Sequence, residues 1–191
     1  MQAGTSHYRG QNVAKTFDVV FTNKENKQEH VWASSWGVST RLMGALIMTH
    51  SDDQGLIIPP KLAPIQVAIV PIAKNEEQLS AIRTHVEPMI QGLRAKGITV
   101  KFDDDDKRKP GWKFAEYEFK GYPVRIAIGP RDMENGTVEV ARRDTLEKEV
   151  MQMQDIADKI EHLLQAIQDN LYQKALALSE RYMRAVDSYD E

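Results

Sequence analysis

The sequence predicts an α/β chain: a mixed sheet layered with helices and closed by one long helix, behind a segment of antiparallel strands plus a helix. Three observations carry that class. Val67-Ala68-Ile69-Val70-Pro71-Ile72 is apolar on both faces, as expected of a buried strand. Leu79, Ile82, Val86, Ile90 and Leu93 then recur at helical spacing, and a second strand-like run, Ile98-Thr99-Val100-Lys101-Phe102, follows. Met153, Ala157, Ile160, Leu164, Ile167, Leu171, Ala175 and Leu178 form one stripe of a long amphipathic helix that caps the sheet. Strands alternating with helices build layered α/β folds.

The elements follow in order. Phe17 to Thr22 reads as a strand, Asn23 to Gln28 as a polar turn, and His30 to Trp36 as the returning strand. Arg41 to Met48 favours helix, which Ser51-Asp52-Asp53-Gln54-Gly55 ends with turn residues. Asn75 can cap the next helix, with Gln78 completing a capping-box pattern. Gly97 ends that helix, and Pro88 inside it predicts a kink or a break. Gly111 to Lys120 fits a short helix. Val124, Ile126 and Ile128 alternate with Arg125 and Ala127, so one strand face is apolar and the other displays Arg125. Val138 and Val140 alternate likewise. Asp103-Asp104-Asp105-Asp106, followed by Lys107-Arg108-Lys109, reads as a solvated loop. The divisions expected are 1–64, 65–148, a long helix over 149–185, and a short acidic linker over 186–191.

Composition narrows the function classes. The chain has 191 residues, enough for one domain and part of another. Hydrophobic residues make up 41% and charged residues 28%, a balance typical of globular proteins. No apolar run approaches the ~18 residues that suggest a membrane helix, and no basic-then-apolar signal opens the chain. A cytoplasmic protein is expected. There is no cysteine, which excludes disulfides, thiolate nucleophiles and cysteine zinc sites. His7, His30, His50, His85 and His162 are scattered without ligand spacing, so no metal site is expected. The net charge of -3 gives no global sign of nucleic-acid binding, and any RNA contact must come from a local patch.

Two sets of blocks carry chemistry. The first is Gln2-Ala3-Gly4-Thr5-Ser6-His7 together with Ser35-Trp36-Gly37-Val38-Ser39-Thr40-Arg41, an apolar run, and Pro59-Pro60-Lys61-Leu62-Ala63-Pro64. Arg41 opens a helix after a small-residue turn, where a guanidinium can bind phosphate bidentately. Ser6 and His7 are adjacent and cannot easily form the hydrogen bond of a nucleophile and its base. These blocks resemble the last third of a class II aminoacyl-tRNA synthetase catalytic core, in detail the prolyl-tRNA synthetases of the archaeal/eukaryote-like branch. The resemblance implies that Arg41 is the catalytic, phosphate-binding arginine of the third class-defining motif. It implies ATP contacts at Gln2, Thr5, Ser39 and Arg41, and proline contacts at His7 and Trp36. Cationic clamps of this kind stabilise charge that develops on phosphoryl oxygens.

The second set is Pro110-Gly111-Trp112-Lys113-Phe114, Glu118-Phe119-Lys120-Gly121, Pro123-Val124-Arg125, Gly129-Pro130-Arg131-Asp132-Met133 and Val140-Ala141-Arg142-Arg143-Asp144-Thr145. It resembles the anticodon-binding domain of the same enzymes, which implies a three-layer mixed-sheet domain. By that resemblance Glu118 and Arg125 match the guanine-recognising pair, and Lys148 a third contact. The chemistry agrees, because a carboxylate accepts from guanine N1 and N2 while arginine donates to O6 and N7. Lys113 is expected to meet RNA phosphate only.

The family implies ATP and magnesium as cofactors, proline and tRNA(Pro) as partners, and a homodimeric parent. The first two class-defining motifs and the proline-selecting loop are absent from the chain. A C-terminal fragment is therefore expected, inactive alone in proline activation but able to bind an anticodon. The alternative is a non-enzymatic synthetase-like RNA-binding module. Retention of Gln2, Thr5, His7 and Arg41 weighs against it.

Overall fold

The computed structural model describes residues 2–188 and forms two compact units, Met1–Leu46 and Ile47–Glu191. Positions 189–191 of the expected linker lie outside the described residues.

In the N-terminal unit, β1 (Gly4–Gly10) is followed by α1 (Asn12–Thr16), β2 (Val20–Thr22), β3 (Gln28–His30), β4 (Ala33–Val38) and the first turns of α2 (Arg41–His50). Two antiparallel ribbons result, β1 with β4 and β2 with β3. The β2–β3 turn forms around Asn23, whose Oδ1 accepts from the Glu25 N–H at 2.8 Å and the Lys27 N–H at 3.0 Å. The returning strand expected over His30 to Trp36 is two strands. The chain leaves β2 after His30 and pairs with β1 from Ala33 onward. Neither β1 nor α1 shows in the sequence pattern. β1 reads Gly-Thr-Ser-His-Tyr-Arg-Gly, with little β-propensity and no buried face to set an alternation.

The C-terminal unit holds a five-stranded sheet in the order β6-β5-β7-β8-β9. Its strands are β5 (Val67–Pro71), β6 (Val100–Phe102), β7 (Val124–Ile128), β8 (Thr137–Arg142) and β9 (Lys148–Gln152). β5 pairs in parallel with both β6 and β7, while β8 and β9 add antiparallel, so the sheet is mixed. Strand alternation divides its two faces. Val67, Ile69, Val124, Ile126, Ile128, Val138 and Val140 pack with α3 (Glu76–Ala95) and α6 (Ile156–Tyr182). Ala68 and Val70 pack on the other side with Phe114, Tyr117 and Tyr122, from α4 (Pro110–Phe119) and the loop after it. The short α5 (Pro130–Asn135) joins β7 to β8. These are the three expected layers.

Local chemistry explains the helix ends. The Asn75 side chain accepts from the Gln78 N–H at 2.9 Å, and Gly97 takes φ 75° just past α3. Pro88 does not break α3, which runs from Glu76 to Ala95. Pro88 itself is exposed, so the backbone carbonyl it leaves unpaired can meet water, while Val86, Met89 and Ile90 stay buried around it. The long helix starts at Ile156 rather than at 149, because Lys148–Gln152 joins the sheet as β9. Its stripe is buried from Ile156 to Leu171, and beyond that Leu176, Leu178 and Tyr182 are exposed. The acidic loop also differs from expectation. Asp103 is buried, accepting the Tyr117 hydroxyl at 2.7 Å and pairing with Lys113 Nζ at 3.2 Å. No helix among the described residues is long and apolar enough to cross a membrane.

Candidate nucleic-acid interface

Three strands bring two of the expected anticodon contacts, Arg125 and Lys148, into one row. Arg125 on β7 lies opposite Ala141 on β8, and Ala141 lies opposite Lys148 on β9. Directly paired residues share a face, so Arg125, Ala141 and Lys148 all point toward the α4 side, with Arg125 and Lys148 roughly 10 Å apart across two strand spacings. Glu139, two residues before Ala141, shares that face. Lys148 is exposed, as is Val150 beside it.

Arg125 is not displayed on an open face as its alternation suggested; it is only 3% exposed. The reason is α4, whose Phe114 ring lies 3.7 Å from the Arg125 Cζ. A guanidinium stacked on an aromatic face gains a cation–π contact and loses water on that side. Two carboxylates flank it, Glu118 at 3.8 Å and Glu139 at 3.5 Å. Those separations are ion pairs but too long for good hydrogen bonds, and Nε, Nη1 and Nη2 have no hydrogen-bond partner. Burial lowers the Arg125 pKa, and Glu118 and Glu139 offset only part of that shift. The cavity bordered by Tyr117, Glu118, Tyr122, Arg125 and Ala141 holds about 10 Å³, room for about one water.

Lys113 has a different role from the one expected. It is 4% exposed and bound to Asp103, so it does not face phosphate. Glu139 was missed by sequence reasoning. Its place opposite Val138 and Val140 in the alternation would have put it on the Arg125 face once β7 and β8 were known to pair.

In the N-terminal unit the β1–β4 register gathers part of the expected ATP and proline set. Thr5 pairs with Gly37 and His7 with Ser35, so Thr5 and His7 share a face. Gln2 Nε2 donates to Thr5 Oγ1 at 2.7 Å, and the Ser39 N–H donates to the Ala3 carbonyl at 2.8 Å. The Arg41 N–H reaches Ser39 Oγ at 3.3 Å, and the first turn of α2 carries no acidic residue. Trp36 pairs with Ser6 and so lies on the face opposite His7, 81% exposed. The register does not bring the two expected proline contacts together. Hydroxyl, amide and guanidinium groups suit a nucleotide triphosphate. No carboxylate stands among them to hold magnesium, and the described residues contain no metal-ligating cluster.

Comparison with known proteins fits this geometry. An anticodon binding domain model matches residues 66–163, covering the sheet, α3, α4 and the start of α6. The chain belongs to the anticodon-binding domain family. All 191 residues align with a proline–tRNA ligase of Porphyromonas gingivalis at 59% identity, covering 39% of that relative. A proline–tRNA ligase of Christiangramia forsetii is 58% identical over the same span, again 39% of its length. One from Cytophaga hutchinsonii is 61% identical over 189 residues, 38% of its length. The chain thus spans about two fifths of the relatives it matches. The anticodon-binding domain model covers residues 66–163 of the C-terminal unit, and the N-terminal unit aligns with the ligases outside that model.

Proposed function

We propose that this chain is the anticodon-reading part of a proline–tRNA ligase, together with part of its ATP and proline site. One observation carries the RNA half. Arg125 is a buried guanidinium with three nitrogens lacking hydrogen bonds, held between Glu118 and Glu139. A buried donor without a partner is costly, and a guanine edge is a partner of matching shape. Glu118 accepts from guanine N1 and N2, and Arg125 donates to O6 and N7 once the Phe114 ring moves off its face. Lys148, on the open end of the same row, meets the neighbouring nucleotide or its phosphate. Single-stranded bases splayed over a sheet face and stacked on an aromatic ring are a common mode of RNA recognition.

On this reading the whole enzyme works in the cytoplasm as a homodimer of the archaeal/eukaryote-like branch, joining proline to tRNA(Pro) with ATP and magnesium. ATP would supply the adenylyl group that activates the proline carboxylate, with pyrophosphate as the leaving group. Gln2, Thr5 and Ser39 orient the nucleotide, and Arg41 stabilises charge on its phosphoryl oxygens. His7 orients proline, while Trp36, on the opposite face of the ribbon, does not line the same pocket. These side chains offer no carboxylate to hold magnesium, which would be held by the nucleotide phosphates and would supply positive charge there. The supporting observation is the shared face of Thr5 and His7 beside the Gln2–Thr5 hydrogen bond.

The RNA half is tested by titrating the chain with proline-anticodon stem-loops carrying guanine or adenine at the central positions, at fixed salt. E118Q and R125K should each reduce the preference for guanine by about 1–3 kcal/mol. An unchanged preference in both variants would remove Glu118 and Arg125 from base reading.

A further inference from the structure

Two buried arginines approach Glu118, and they differ in one respect. Arg125 faces the Glu118 carboxylate and makes no hydrogen bond. Arg143, also 3% exposed, is fully committed. Its Nη1 and Nη2 donate to the two carboxylate oxygens of Asp52 at 2.8 and 2.5 Å. Its Nε donates to the backbone carbonyl of Glu118 at 2.8 Å. The forked geometry of arginine satisfies a carboxylate and a carbonyl at once, which a lysine cannot reproduce.

This bond is one part of a longer strap. The segment following α2 lies along the C-terminal end of α4. Leu56 N–H donates to the Phe119 carbonyl at 2.9 Å, and Ile58 N–H to the Gly121 carbonyl at 3.3 Å. The approach is too close for side chains on either strand of the contact. A Cβ on Gly55 would stand 2.5 Å from the Phe119 Cα, and one on Gly121 would stand 2.6 Å from the Leu56 carbonyl oxygen. Asp52 is further fixed by accepting from the Gln54 N–H at 2.9 Å. Hydrogen bonding from Arg143 holds the Asp52 carboxyl down at about 2, so it stays ionised across the physiological range.

We propose that Asp52 and Arg143 are positioning residues for anticodon reading. They fix the backbone of Glu118 from the strap side, and so set where its carboxylate stands over Arg125. The inference rests on the base-reading role proposed for Glu118 and Arg125. It adds that guanine selectivity depends on the segment Asp52–Gly55, which touches no RNA. A base-reading carboxylate must be held within a fraction of an ångström, and that precision comes from the residues behind it.

The test uses the intact 191-residue chain with D52N, D52E, R143K and E118Q, and with stem-loops carrying guanine or adenine at the central anticodon positions. Urea unfolding of each variant sets a temperature at which all are folded. D52N and R143K should lower the guanine-over-adenine affinity ratio about threefold to tenfold, and E118Q about tenfold or more. D52E, which keeps the carboxylate, should recover part of the D52N loss. The slope of log affinity against log salt should not move, since no phosphate contact is lost. Should R143K not fold, D52N and D52E carry the test, as the Asp52 side chain is 40% exposed. A ratio unchanged in D52N while E118Q lowers it would overturn the positioning role and leave base reading standing. A ratio unchanged in E118Q would overturn base reading and this proposal with it.

Discussion

The two units of this chain solve the burial problem to very different degrees. In the C-terminal unit, Ile69, Ile126 and Ile128 from the sheet lock with Ile82, Leu93, Ile160 and Ile167 from the helices, and all are shielded from water. In the N-terminal unit Ala14 is the one buried hydrophobic residue among those described. Tyr8, Phe17, Trp32 and Trp36 stand exposed there, and a Tyr8–Trp32 stack at 6.2 Å is its aromatic contact. Two-stranded ribbons are marginal in water without a third layer. The difference teaches where specificity of fold resides. The anticodon-binding domain buries a continuous core, whereas the ribbons carry motif residues on exposed surfaces.

The largest way to break this contrast is to empty the dense core. Ile126 is fully buried at the centre of the sheet. Ile126→Ala should cost about 2–5 kcal/mol in urea unfolding, from lost burial plus the cavity left behind. A cost under about 1 kcal/mol would mean that the sheet is not the stabilising centre of the unit.

Next in size is the strap. Gly121 has φ 72°, and a Cβ there meets the Leu56 backbone. Gly121→Ala should lose about 1–2 kcal/mol from the left-handed backbone alone, and the clash adds to it. Guanine selectivity should fall in the same variant, because the strap backs Glu118. Wild-type stability would show that strap and helix separate freely.

The sequence exposed the dense unit far better than the sparse one, for a physical reason. Apolar periodicity reports burial, and burial is what β5, α3, β7 and α6 share. β1, by contrast, has polar and glycine residues on both faces, so nothing in its pattern marks a strand. Its motif residues were legible only through resemblance. Within the dense unit, the errors concern buried charge. Arg125, Lys113 and Asp103 read as surface groups because charged residues are rarely buried unless paired, and their partners lie seven or more positions away in the chain. Lys113 with Asp103, Arg143 with Asp52 and Arg125 with Glu139 are contacts of the folded state only. Of the kink or break expected at Pro88, the break does not occur, and the rule for proline in a helix does not say which face carries it.

Acid should act on those pairs. Asp52 is held near 2 by hydrogen bonding from Arg143. Burial raises the Asp144 carboxyl, but hydrogen bonds from Arg142 and Asn170 outweigh it and leave it depressed. A carboxylate whose folded pKa lies below its unfolded value stabilises fully above the unfolded value and loses that contribution as pH falls through the folded one. For Asp52 the window runs from about 4 down to about 2. The melting temperature should therefore decline over that window, and D52N should flatten part of the decline. A D52N curve parallel to wild type would show that the Asp52–Arg143 pair adds no pH-dependent stability.

The smallest expected effect sharpens the contrast from the other side. Trp36 is 81% exposed, and its partner across the ribbon is Ser6. Truncating a side chain that is already in water removes little burial, so Trp36→Ala should change global unfolding by no more than about 0.5 kcal/mol. Unfolding of the C-terminal core would be followed by far-UV circular dichroism, and the indole signal by fluorescence at the same protein concentration. The Trp36 contribution to fluorescence should already be that of a water-exposed indole before unfolding begins. A loss of 2 kcal/mol or more would place Trp36 in a packed contact in solution. Repeating the titration at tenfold lower concentration then identifies its source. A midpoint that falls on dilution shows that a second copy of the chain covers the ribbon, and one that stays fixed places the contact within the N-terminal unit itself.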